Sequence, residues 1–185
     1  HTDLGHNMKS HWMTGLVGRL VGRDSWVRFA RWSGRPWLGP AFDVETGIWG
    51  SGMRGWNDIG RGSTWWIYAE LDQFAAEMNL VTGGELTATL ARTAANWLSG
   101  FVDREYGEIF PDIGADGQPR RYSPEGTDKV WDWKNGFHSA EHALILYLHG
   151  RALEGGRAEL YFAFPAEGPG PAARPYLWNG RETAR

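Results

Sequence analysis

Cysteine is absent from the 185 residues, which excludes disulfide cross-links and thiolate metal sites. Its absence selects no compartment, because a cysteine-free chain survives in either redox environment. Positive charge is not in excess: the net charge is −3 and the pI about 6.1, so no basic field exists to hold nucleic acid or an anionic membrane. No apolar run approaches the roughly 18 residues of a membrane-spanning helix. What is abundant is tryptophan, with 12 residues, and glycine, with 26. Indoles pack in cores and also stack on the C–H faces of sugars. Glycine at this density implies long loops with close backbone approach. Trp-rich loops beside helices suit a carbohydrate cleft.

The hydrophobic pattern is helical. Met8, Trp12, Leu16 and Leu20 mark one face of a helix over about 6–22. Asp24 caps a second helix carrying Trp26, Val27, Phe29, Ala30 and Trp32. From Gly34 to Ser63 the chain reads as loop, with a short hairpin at 44–49. Ser63 caps a third helix with Ile67, Leu71, Phe74 and Met78 on its apolar face, and Gly83-Gly84 ends it. A fourth spans about 85–102, with Leu86, Leu90, Ala94, Trp97 and Phe101 in one stripe. Residues 104–134 form a loop with a hairpin, a helix runs from about Phe137 to Leu153, and a short strand follows at 160–164. Residues 165–185 are an irregular Pro/Gly/Ala-rich tail. Short turns alternating with long loops predict stacked helical hairpins whose long loops build one functional face.

Three segments, in order, carry a family resemblance. Gly5-His6-Asn7-Met8-Lys9-Ser10-His11-Trp12-Met13 resembles the Gly-His-x-x-Glu-x-x-Trp-Leu segment of the N-acylglucosamine 2-epimerase and cellobiose 2-epimerase superfamily. Thr64-Trp65-Trp66-Ile67-Tyr68-Ala69-Glu70 is similar to its Glu-Trp-Trp-x-Gln-Ala-Glu segment. Asp128-Lys129 followed by Trp131-Asp132-Trp133-Lys134-Asn135-Gly136-Phe137-His138-Ser139 is similar to its Lys…Trp-Lys-x-x-x-His segment. The resemblance implies an all-α fold, a toroid of six helical hairpins. Residues 1–185 would be a single domain, the C-terminal half of that (α/α)6 barrel. The missing N-terminal half, or a second subunit, would complete it.

The same resemblance implies a sugar 2-epimerase or aldose–ketose isomerase acting on a mono- or disaccharide, with no metal or other cofactor. His6 and His138 would be the catalytic pair on opposite faces of the opened sugar. Trp133 and one of Trp65 and Trp66 would stack on it, with Lys9 and Glu70 also substrate-binding. Imidazole suits the chemistry because proton transfer is most effective when the catalytic group titrates near working pH. The chain departs from the pattern at Lys9, where the family has Glu. One helical turn from His6, an ammonium would disfavour imidazolium, keeping that histidine a base and weakening it as an acid.

Three rival readings compete for overlapping residues. His138-Ser139-Ala140-Glu141-His142 matches the His-x-x-Glu-His motif of zinc peptidases, although the expectation for His142 is a surface pair with Glu141. A glycoside hydrolase or lyase would need two carboxyl groups drawn from Asp58, Glu70, Asp112 and Asp128. A non-catalytic carbohydrate-binding module would keep the tryptophans without the acid/base pair.

Overall fold

In the computed structural model the described residues are 3–55, 58–120, 129–130, 133–163, 174–178 and 180. Arg121, Asp128, Trp131, Asp132, Phe164 and residues 165–173 of the tail lie outside them. The elements among the described residues are α1 (Leu4–Leu20), α2 (Asp24–Ala41), β1 (Met53–Gly55), β2 (Asp58–Ile59), β3 (Ser63–Thr64), α3 (Trp65–Val81), α4 (Thr87–Asn96), β4 (Asp112–Ile113) and α5 (Phe137–Leu153). A π-helical turn, Trp97–Phe101, extends α4. The strands are short antiparallel pairs, β1 with β2 and β3 with β4.

The core is built around α3. Ile67, Leu71, Phe74 and Met78 are buried, and Tyr68, Ala69, Ala75 and Ala76 are buried with them. A helix buried on every side is an inner helix. It packs against α1 on one side and α5 on the other, while α2 folds back on α1 and α4 on α3. The three inner helices run in the same direction. His6, Trp66 and His138 meet at their first turns, and Arg19, Leu80 and His149 line one cavity at their far ends. The two long loops therefore return to the same end. They are tied there by β3 pairing with β4 and by the Trp65 N–H donating to the Pro111 carbonyl at 2.8 Å.

Three local expectations are corrected. The chain does not leave helix at Gly34, for α2 continues to Ala41 through Pro36 and Pro40. Packing overrides the local signals: Leu38 and Ala41 are buried, and a Cβ on Gly34 would press into the Phe74 ring. Ser63 does not cap α3; it pairs in β3, and Thr64 is the N-cap residue without a side-chain cap bond. Residues 160–163 form no strand, having no sheet edge to join among the described residues, and Tyr161 is almost fully exposed. The turn at 44–49 closes with a single bridge, Phe42 to Trp49.

Several large apolar side chains stand exposed: Leu20 on α1, Trp26, Phe29 and Trp32 on α2, and Tyr147 on α5.

Candidate active site

The site grows from the first two turns of α1, α3 and α5. At the start of α1, Asp3 is the N-cap and takes the His6 backbone N–H at 3.0 Å, while its other carboxylate oxygen holds His6 Nδ1. One short acidic side chain thus caps the helix and orients the imidazole, which puts the ring's lone pair on Nε2. The His6 side chain is 59% exposed and its ring lies edge-on to Trp66, with centroids 4.7 Å apart. The helices come this close because residue 5 is glycine; a Cβ there would collide with the Trp66 ring.

His138 lies against the same indole from the other side of α3, at a centroid distance of 6.2 Å, and is 20% exposed. The two distances cap the separation of the imidazole centres near 11 Å. Behind His138 is Glu70, whose carboxylate is buried and serves three groups. Oε2 accepts the Trp12 indole N–H at 2.5 Å, and Oε1 accepts Lys9 Nζ at 2.8 Å. His138 Nδ1 approaches Oε1 at 3.3 Å, a contact of charge and proximity without good hydrogen-bond alignment. Burial alone would push the Glu70 carboxyl upward. The approach of His138 and the bonds from Lys9 and Trp12 outweigh that effect and hold it below the ordinary value of 4.5.

Lys9 reaches across from α1 to α3. Its ammonium goes to Glu70 and stands 5.6 Å from the Phe137 ring. Of the expected sugar-stacking residues, Trp66 is partly exposed between the two histidines, and Trp133 is 86% exposed on the loop entering α5. Trp65 points the other way, into the core, with buried Lys134 5.7 Å from its ring.

One turn deeper, α3 and α5 meet again. Asp72 accepts from the Trp49 indole, the Thr93 hydroxyl and His142 Nε2 at 2.7, 2.6 and 2.7 Å. His142 is thus fully buried rather than paired with Glu141 on the surface, and it does not converge with His138 as the peptidase motif requires. Glu141 instead accepts the hydroxyl of Tyr176 from the tail, whose ring packs on Trp12. Ligand atoms of Glu70, His138 and Glu141 lie within 4.8 Å of one another. A cation could be held there, but Lys9 already supplies positive charge to that cluster.

No protein-family model and no curated protein matches the chain. Solved structures do. A sugar epimerase from a ruminal bacterium aligns with a TM-score of 0.64 and 18% identity over 80% of this chain and 38% of its own. Cellobiose 2-epimerase from Spirochaeta thermophila aligns with 0.64 and 20% over 83% and 38%, and a D-mannose isomerase with 0.65 and 14% over 78% and 36%. The fold is that of the N-acylglucosamine 2-epimerase family. This chain spans under two-fifths of the length of those epimerase-fold structures, and its hairpins form part of an (α/α)6 toroid.

Within the epimerase fold, several polar residues at the site escaped sequence reasoning. Asp3 had a local signal, an acidic residue three positions before His6 at a helix start. Asp72 and Tyr176 had none, because their partners lie 70 and 35 residues away. Of the carboxylates named for a hydrolase, Asp112 lies in β4 opposite Thr64 and Asp58 is exposed in β2, while Asp128 lies outside the described residues.

Proposed function

We propose that this chain is the C-terminal part of a sugar 2-epimerase or aldose–ketose isomerase in which His6 and His138 exchange protons with C2 of an open-chain aldose. The supporting observation is the pair of imidazoles at the mouth of parallel inner helices, each backed by a carboxylate and both against one partly exposed indole. One histidine removes the C2 proton; the other returns it from the opposite face to give the epimer, or a proton delivered to C1 gives the ketose. Trp66 and Trp133 offer faces for the sugar, and Glu70 fixes the His138 ring.

The remaining inner helices come from preceding sequence or from a second copy. The exposed tryptophans and phenylalanine of α2 and the apolar residues at the end of α1 are the surfaces they would cover.

The test is exchange of the C2 proton of D-mannose and of cellobiose with deuterated solvent, using the complete protein. His138→Ala is expected to slow exchange by about 10²–10⁴-fold, the range of a general acid/base. Exchange at the parental rate would end the two-histidine mechanism and leave a sugar-binding helical module.

A further inference from the structure

Proton abstraction at C2 creates a charge that neither histidine neutralises. The C–H electron pair becomes the C1=C2 bond, the carbonyl pair moves to O1, and O1 must be met by a donor at about 2.7–3.1 Å. Around His138 most groups are unsuited to that task. Glu70 and Glu141 are carboxylates and repel an oxyanion. The Trp12 N–H is spent on Glu70, and the Tyr176 hydroxyl on Glu141. Phe137, T-shaped to His138, has no donor to give, and the Trp66 ring is packed against His6.

We infer that Lys9 is the electrophile of the reaction, donating to O1 of the opened sugar as His138 takes the C2 proton. Its ammonium has three donors, one of which is used on Glu70 Oε1. The side chain is 29% exposed, which leaves room for a ligand oxygen to reach the ammonium. Lys9 Nζ and His138 Nδ1 lie 2.8 and 3.3 Å from the same oxygen, which caps their separation near 6 Å. Nδ1 is buried against Glu70, so Nε2 is the nitrogen left to act as base; that imidazole and the neighbouring ammonium can together meet C2 and O1, which are only two bonds apart. Lys9 keeps its proton throughout: it stabilises the enediolate, and the carbonyl re-forms when C2 or C1 is reprotonated. Glu70 then has a second task, to hold the ammonium in place without cancelling its remaining donors. The inference rests on the proposed proton transfer at C2, and it gives a role to the residue at which the first motif exchanges the family's Glu for a cation.

The experiment compares the complete parent protein with Lys9→Gln and Lys9→Arg, using whichever of D-mannose and cellobiose the parent exchanges. Lys9→Gln is expected to lower the exchange kcat by about 10²–10³-fold, the loss seen when one oxyanion donor is removed. KM should change little, and Lys9→Arg should recover most of the loss. The corresponding sugar alcohol, mannitol or cellobiitol, has no carbonyl and forms no enediolate. Its binding to the folded Lys9→Gln protein should match the parent, which separates a catalytic loss from a folding defect. A Gln variant that keeps the parental kcat overturns the inference while leaving the two-histidine reading intact. So does one in which KM alone rises, which would make Lys9 a ground-state binding group. A parent that exchanges neither sugar removes the underlying reading itself.

Discussion

Two carboxylate–histidine pairs join α3 to α5, one turn apart, and they are put to different uses. Asp72 and His142 are both fully buried, and every lone pair that matters is taken: Asp72 binds an indole N–H, a hydroxyl and an imidazole, while the Trp97 ring lies 4.1 Å from that of His142. Glu70 is equally buried, but its imidazole is not. His138 keeps a fifth of its surface in solvent and makes a longer, less aligned contact. The chemistry of the pair is the same in both. Each carboxylate serves an indole, one further donor and an imidazole; burial of the imidazole makes one a clamp, and access makes the other a candidate site.

The largest effect that would break this contrast is at the clamp. Asp72→Ala leaves a buried imidazole and a buried indole N–H without their acceptor, and should cost about 3–5 kcal/mol in urea-induced unfolding. A cost below about 1 kcal/mol would mean that the deeper pair is no more structural than the outer one.

A smaller effect is expected from acid. The native state holds Glu70 ionised more firmly than the unfolded chain does, since its carboxyl lies below the ordinary value. Its contribution is therefore fully present above about pH 4.5 and is lost as pH falls through the lowered native value. Urea midpoints of the parent and Glu70→Gln should converge on going from pH 6 to about pH 3. Parallel curves would show that Lys9, Trp12 and His138 do not favour the charged form.

The smallest change in stability belongs to His6. Its side chain is mostly exposed and its backbone N–H keeps the Asp3 cap, so His6→Ala should stay within about 0.5 kcal/mol of the parent. The same substitution should abolish C2 exchange. A residue silent in unfolding and decisive in exchange is what distinguishes a site from a clamp.

The sequence was informative where physical signals are local. Helical periodicity and the Gly83-Gly84 stop delimited α3, and the apolar pattern placed α5 at Phe137–Leu153. The family resemblance brought forward His6, Lys9, Glu70 and His138, which the fold gathers near one another. Local signals misled at Gly34, Pro36 and Pro40, where contact with α1 and α3 outweighs intrinsic preference. They were mute about which carboxylate meets which imidazole. Glu70 and Asp72 are two positions apart, and only the rotation of α3 against α5 assigns them to His138 and His142.

The shared direction of α1, α3 and α5 has a further electrical consequence. Each helix carries a macrodipole worth up to roughly half a positive charge at its N-terminal end, offset at α1 by the Asp3 cap. In this fold three such ends converge where His6, Trp66 and His138 meet. The mouth is thus biased toward negative charge before any side chain is counted. A neutral sugar gains little from that field, but an enediolate gains as its charge develops, so the backbone itself discriminates between the two.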